Sequence, residues 1–135
     1  MSTRILIADD DKAIRRLLRR ILEEQPGWEI CAEAENGQEA LEKAQLYAPD
    51  LVILDLAMPQ MNGLQAAREI CKHAPLSRML LLTVQEVSPE LAKEARKAGF
   101  QGAVSKHKGI EVVRGIETLL REESFFNPCT YDLSA

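Results

Sequence analysis

The sequence is short of the features that mark several broad functional classes. Its cysteines, Cys31, Cys71 and Cys129, are odd in number, far apart and without a Cys-x-x-Cys pair. That pattern suits neither a disulfide framework nor a zinc site, so reduced and mostly packed thiols are expected. Positive charge is not in excess either: 17 Lys and Arg stand against 21 Asp and Glu, a net charge of −4. A nucleic-acid binder that works by broad electrostatic attraction is thereby disfavoured, and no direct nucleic-acid partner is expected for this chain. No apolar run approaches the roughly 20 residues of a membrane span, and residues 1–7 lack the organisation of a signal peptide. The expectation is a soluble, cytoplasmic protein with no membrane partner. No Pro/Gly/Ser-rich linker or low-complexity tract precedes Asn127. The 135 residues fit one domain with a sizeable core, expected over 1–122 with a C-terminal tail over 123–135.

What is present is an alternation. Short apolar runs occupy 4–8 (RILIA), 28–34 (WEICAEA), 51–56 (LVILDL), 78–83 (RMLLLT) and, more weakly, 102–105 (GAVS). Three of them are continuously apolar, as parallel strands covered on both faces should be. Between the first two runs, Ile14, Leu17, Leu18, Ile21 and Leu22 recur at helical spacing, with Lys12, Arg15, Arg16, Arg19 and Arg20 turned mainly to the other side. The later helices are marked by their ends. Asn36 with Glu39 suggests a capping box, and Pro49 stops that helix near Ala48. A helix from about Asn62 to His73 follows, then one opened by Ser88-Pro89-Glu90 and closed by Gly99, and a last one from about Ile110 to Arg121. Five strand–helix repeats with right-handed crossovers give an α/β, doubly wound, five-stranded parallel sheet, flavodoxin-like with strand order 2-1-3-4-5.

In such a sheet the ligand site lies beyond the carboxyl ends of the strands. Four of the five runs lead there into a group with chemistry: Asp9 and Asp10 after the first, Asp55 at the third, Thr83 at the fourth and Lys106 after the fifth. The first and third strands are neighbours in the 2-1-3-4-5 order, so Asp10 and Asp55 should face each other across about 5 Å. Three consecutive aspartates at a strand end, Asp9 to Asp11, would repel unless something offsets their charge. An all-oxygen site suits magnesium. The plainer alternative is that Asp10 and Asp11 merely start the first helix by capping it. The acid, acid, hydroxyl and amine on four separate strand ends favour a metal and phosphoryl site.

Those residues, together with "LVILDLAMPQMNG" around Asp55, resemble the receiver domain of two-component response regulators over nearly the whole chain, to about Arg121. The first half is most similar to receivers of the nitrate/nitrite-regulator class, which usually carry a C-terminal helix-turn-helix domain. The resemblance implies that Asp55 is the phosphoacceptor, with Thr83 and Lys106 as its phosphate partners. It also implies that Asp10 binds Mg2+ directly, Asp9 mainly through water, and that the backbone carbonyl of Ala57 completes the protein ligands beside Asp55. A sensor histidine kinase or histidine phosphotransfer protein would be the donor, and the chain would be a signalling module rather than a metabolic enzyme. The surface of the fourth helix, fifth strand and fifth helix would switch and could serve homodimerisation.

The sequence departs from that family's pattern at three positions. Ala103 stands where Tyr or Phe is usual, His107 where many receivers have proline, and Val84 where a small residue is usual. Ala103 and Val84 keep a second function in view, a receiver-like interaction domain whose output does not depend on phosphorylation. A third is a Mg2+-dependent phosphohydrolase with an Asp nucleophile, although the second Asp such enzymes place two residues on is Ala57 here. Flavin binding is weaker still, because no Ser/Thr/Gly-rich phosphate loop follows the first strand. Phe125 and Phe126 are expected to cover the end of the sheet. The short sequence after Arg121 leaves no room for a DNA-binding domain, which implies a stand-alone or excised receiver.

Overall fold

The computed structural model describes residues 2–106 and 109–126; His107, Cys129 and everything from Asn127 on lie outside the described residues. The elements are β1 (Thr3–Ala8), α1 (Lys12–Glu23), β2 (Trp28–Ala34), α2 (Gly37–Tyr47), β3 (Leu51–Asp55), α3 (Gly63–His73), β4 (Arg78–Thr83), α4 (Pro89–Ala98), β5 (Gly102–Ser105), α5 (Gly109–Leu120) and β6 (Phe125–Phe126). All pair in parallel in one sheet of order β2-β1-β3-β4-β5-β6. The flavodoxin-like order 2-1-3-4-5 is as expected, and among the described residues the short β6 adds a sixth strand to the five expected.

Local signals explain most of the boundaries. Asp11 caps α1, accepting hydrogen bonds from the amides of Ala13 (2.9 Å) and Ile14 (3.4 Å). At α2 only half of the expected capping box forms. Asn36 accepts from Glu39 N at 2.8 Å, but the Glu39 carboxylate reaches the amide of Glu35 instead of Asn36. The reciprocal box occurs at α3, between Asn62 and Gln65. Ser88 caps α4, Pro89 opens it, and Gly99 closes it at φ 110°, where a β-carbon would be strained.

Side chains alternate along the strands, so the sheet carries two cores. Leu6, Val52, Leu54 and Leu81 face α2, α3 and α4, whereas Ile5, Ile7, Ile53 and Leu80 face α1 and α5. β3 is buried at every residue, which is why its sequence runs apolar up to Asp55. The sixth strand uses both cores: Phe126 packs in the first and Phe125 in the second. Thus the two phenylalanines extend the sheet edge, within the segment expected as a tail. Gly102 makes this approach feasible, because a β-carbon there would stand 2.5 Å from the Phe125 carbonyl oxygen.

Candidate phosphoryl and metal site

The carboxyl ends of β1, β3, β4 and β5 meet at one edge of the sheet. Register aligns Ala8 with Leu54, Asp55 with Leu82 and Thr83 with Ser105, so the residues that follow or end these strands are neighbours. The helix after β3 comes unusually close, since a β-carbon on Gly63 would stand 2.4 Å from the Asp55 carbonyl oxygen. Glycine lets the β3–α3 turn fold tightly against the site.

The three consecutive aspartates separate into three tasks. Asp9 is fully buried, and its Oδ1 accepts the Asp11 amide at 2.9 Å, which shapes the turn. Asp11 caps α1. Asp10 is exposed, and among the described residues nothing pairs with its carboxylate. The capping alternative therefore holds for Asp11 and not for Asp10. One carboxylate oxygen from each of Asp9, Asp10 and Asp55 lies within 4.8 Å of the others.

Lys106 offsets part of the accumulated charge. Its Nζ lies 2.8 Å from Asp9 Oδ2 and 3.1 Å from Asp55 Oδ1. The contact with Asp9 Oδ2 is an ion pair, and Lys106 is the one group among the described residues that meets this buried oxygen. Asp55 is almost wholly enclosed. Burial, and then the charge of Asp9, push its carboxyl up to about 6, against the contrary pull of Lys106 and the Ala57 amide. Burial acts to lower the Lys106 ammonium, but its contacts with Asp9 and Asp55 outweigh that and raise it.

Thr83 and Ala57 are placed less directly. The Thr83 side chain is buried, and its Oγ1 accepts the Gln85 amide at 3.1 Å within its own loop. Its carbonyl accepts the Lys106 amide at 2.8 Å, which ties the two phosphate candidates together through backbone. Ala57 sits in the exposed turn after β3 with its amide bonded to the Asp55 carboxylate. Val84 is exposed at the rim. Ala103 is fully buried in β5, between Leu81 of β4 and Phe126 of β6.

The donor set fits a hard divalent cation. It is all oxygen, it includes an exposed carboxylate and a buried oxygen whose one partner among the described residues is Lys106, and burial together with the Asp9 charge raises Asp55.

Two functional residues differ from what the sequence suggested. Arg15, expected on the outward face of α1, is buried. Its Nε meets Glu33 Oε1 at 3.0 Å, and its Nη1 donates to the Asp9 carbonyl at 2.6 Å. Leu17, expected in the apolar stripe, is half exposed. The signal was there: residues 15, 18 and 22 share the helical spacing that buries Leu18 and Leu22.

Comparison with known proteins agrees with this geometry. The family model described as "Response regulator receiver domain" matches residues 5–119. The chain is 41% identical over 106 residues to chemotaxis protein CheY of Halobacterium salinarum, covering 78% of this chain and 86% of that one. Among solved structures, a two-component response regulator of the LuxR family from Aurantimonas superposes with TM-score 0.91 at 31% identity, covering 98% and 94% of the two chains. The receiver domain of the putative response regulator NarL from Mycobacterium tuberculosis gives 0.79 at 28%, covering 85% and 93%. The chain spans only 27% and 30% of two protein-glutamate methylesterases that it also matches. No described helix is long and apolar enough to cross a membrane. With residues 5–119 matched and its acidic cluster assembled at the strand ends, this chain belongs to the receiver-domain family of two-component response regulators.

Proposed function

We propose that the chain works as a phosphorylatable receiver, with Asp55 accepting a phosphoryl group from the phosphohistidine of a sensor histidine kinase or a histidine phosphotransfer protein. The observation that carries this is the convergence of Asp9, Asp10 and Asp55 within 4.8 Å, with Lys106 Nζ 3.1 Å from Asp55 Oδ1. An Asp55 carboxylate oxygen forms the new P–O bond while the donor's P–N bond breaks, its electron pair returning to the imidazole nitrogen. At neutral pH a group with a pKa of about 6 is mostly ionised, as a nucleophile must be. Lys106 stands ready to contact a phosphoryl oxygen as a compact point charge. Thr83 offers a hydroxyl donor once it turns from its loop. Mg2+ would be held by Asp10 directly, by Asp9 through water, and by Asp55 with the Ala57 carbonyl. When bound it supplies neutralisation of charge on the transferring oxygens. The same reading places the chain in the cytoplasm, with a receiver unit over residues 1–122.

The direct test is intact-protein mass spectrometry after incubation with acetyl phosphate and Mg2+. Wild type should gain one phosphoryl group, and Asp55→Asn or a chelated sample should gain none. Equal labelling of Asp55→Asn would sink the assignment.

A second reading, output that does not depend on phosphorylation, is favoured by Ala103. With no large side chain at this position, movement of Thr83 has little to displace between the site and the α4–β5–α5 face. Homodimerisation through that face would also have to accommodate β6 on the β5 edge. Beryllofluoride with Mg2+, a phosphoryl mimic, should therefore shift NMR amide signals strongly near Asp10, Asp55, Thr83 and Lys106 and only modestly along α4 and α5. Ala103→Tyr should enlarge the distal shifts. Large distal shifts in wild type would refute weak coupling.

A further inference from the structure

Arg15 is a buried cation that neither the apolar core nor the phosphoryl chemistry calls for. A buried ion pair is a weak source of stability, because desolvation offsets much of the Coulomb gain. Something else should explain why α1 directs a guanidinium inward at this point. Its partners supply the answer. Glu33, on β2, receives Arg15 Nε at 3.0 Å on one oxygen and Arg19 Nε at 2.8 Å on the other. Burial would raise the Glu33 carboxyl, but the hydrogen bonds from Arg19 and Arg15 outweigh it and hold the group low. Lys43 Nζ holds the Glu33 carbonyl as well. The anchor is therefore ionised and tied to three side chains.

From that anchor Arg15 Nη1 reaches the Asp9 carbonyl at 2.6 Å. This carbonyl belongs to the peptide that joins Asp9 to Asp10. Residue 9 is also held by its amide, bonded to the Ala34 carbonyl at 3.0 Å, by Oδ1, bonded to the Asp11 amide at 2.9 Å, and by Oδ2, 2.8 Å from Lys106 Nζ; none of these touches the carbonyl side of the peptide to Asp10. The Asp10 carboxylate, by contrast, is exposed and has no partner of its own among the described residues. The backbone that precedes it sets where this side chain leaves the turn, and so which of its rotamers bring the carboxylate toward Asp9 and Asp55.

We infer that Arg15, anchored on Glu33, is a positioning residue for the cation-binding turn: its guanidinium fixes the Asp9–Asp10 peptide so that the Asp10 carboxylate converges on Asp9 and Asp55. The inference rests on the reading of that cluster as a Mg2+ site. Its sign distinguishes it from simple electrostatics. A bystander cation near a metal site weakens metal binding, so its removal should tighten Mg2+. A positioning residue does the opposite, and loss of such an outer support lowers metal affinity by about 10-fold or more.

The experiment measures Mg2+ affinity by calorimetry for wild type, Arg15→Met, Arg15→Lys and Arg19→Met. Arg15→Met should bind about tenfold more weakly. Arg15→Lys, which can keep one of the two bonds, should fall between it and wild type. Arg19→Met, which touches Glu33 but not Asp9, should change affinity by less than about twofold, as expected for a half-exposed pair. Acetyl phosphate kinetics should show a raised half-saturating Mg2+ concentration with the rate at saturating Mg2+ nearly unchanged. In metal-free samples, NMR amide signals of Asp9 to Asp11 should shift in Arg15→Met and stay in place in Arg19→Met. Should Arg15→Met fail to fold, the Arg15→Lys and Arg19→Met contrast decides alone. Wild-type affinity or tighter binding in a folded Arg15 variant overturns the proposal while leaving the Mg2+ site intact. Absence of Mg2+ binding by wild type overturns both.

Discussion

The two ends of the central sheet are built on opposite principles. At the amino end Arg4, Asp50 and Arg78 each have a partner that closes the structure. Asp50 accepts the Arg4 amide at 2.8 Å, and the Arg4 guanidinium reaches the carbonyls of Tyr47 (2.6 Å) and Ala48 (3.3 Å). Ser77 Oγ donates to the Pro49 carbonyl at 2.6 Å, and Arg78 pairs with Glu122 at 3.0 Å. At the carboxyl end three carboxylates converge, only Asp9 and Asp55 of them touch Lys106, and Asp55 is pushed up to about 6. One end ties off loops; the other accumulates unrelieved charge. A single sheet can hold both because the parallel strands place all their carboxyl ends on one edge, and cost is tolerated where a ligand can relieve it.

The comparison would break most visibly on adding metal. Mg2+ at a hundred times its dissociation constant should stabilise wild type by about 2.7 kcal/mol in denaturant titrations, and the Asp10→Ala variant hardly at all. Ser77 or Asp50 variants should keep the full response. Equal responses in wild type and Asp10→Ala would remove the assigned ligand.

Next in size is a stability gain without metal. A rise from 3.8 to about 6 corresponds to roughly 3 kcal/mol at 1.36 kcal/mol per unit. That rise is already net of the opposing pull of Lys106, so Asp55→Asn should gain on the order of 2 kcal/mol well above pH 6. The sign follows from proton counts. Between pH 3.8 and about 6 the native state holds a proton on Asp55 that the unfolded chain has released, so wild-type stability falls as pH rises through that window. The gain in Asp55→Asn should shrink to nothing as pH drops through it. A pH-independent gain would point to packing rather than charge.

At the amino end the sign reverses. Ser77→Ala should cost about 1 to 1.5 kcal/mol, because it removes a buried hydrogen bond and leaves the Pro49 carbonyl without that donor. The smallest effect belongs to Asp50→Asn, which keeps an acceptor for the Arg4 amide and loses only a charge at an exposed position. About 0.5 kcal/mol or less is expected. A stabilising Ser77→Ala would mean the amino end is not the satisfied one.

The site was legible to the extent that it follows from alternation. Asp9, Asp10, Asp55 and Lys106 could be brought together on paper because strand ends in a parallel sheet share an edge. For Arg15 the helical spacing shared with Leu18 and Leu22 signals burial, but its partners were not legible, because Glu33 meets it from β2 and has no sequence link to it. The bond that the Thr83 hydroxyl accepts from the Gln85 amide lies within its own loop and has no sequence signal, and it leaves the hydroxyl hydrogen free to donate. The sixth strand escaped because two residues carry no periodicity, and Phe125-Phe126 reads equally as a cover or an edge.

Sequence by itself determined the helix starts at Asn36, Asn62 and Ser88, the apolar strands, and the identity of the acids at the strand ends. These are settled by hydrogen bonds and periodicity within a few residues of chain. Tertiary structure decided which of three adjacent aspartates caps, which is buried against Lys106, and which remains available to a cation. That partition depends on Ala34, Arg15, Asp55 and Lys106, which reach the turn from four other elements or loops. No property of the "ADDD" segment encodes it, because burial and charge at each carboxylate are set by neighbours that only folding supplies.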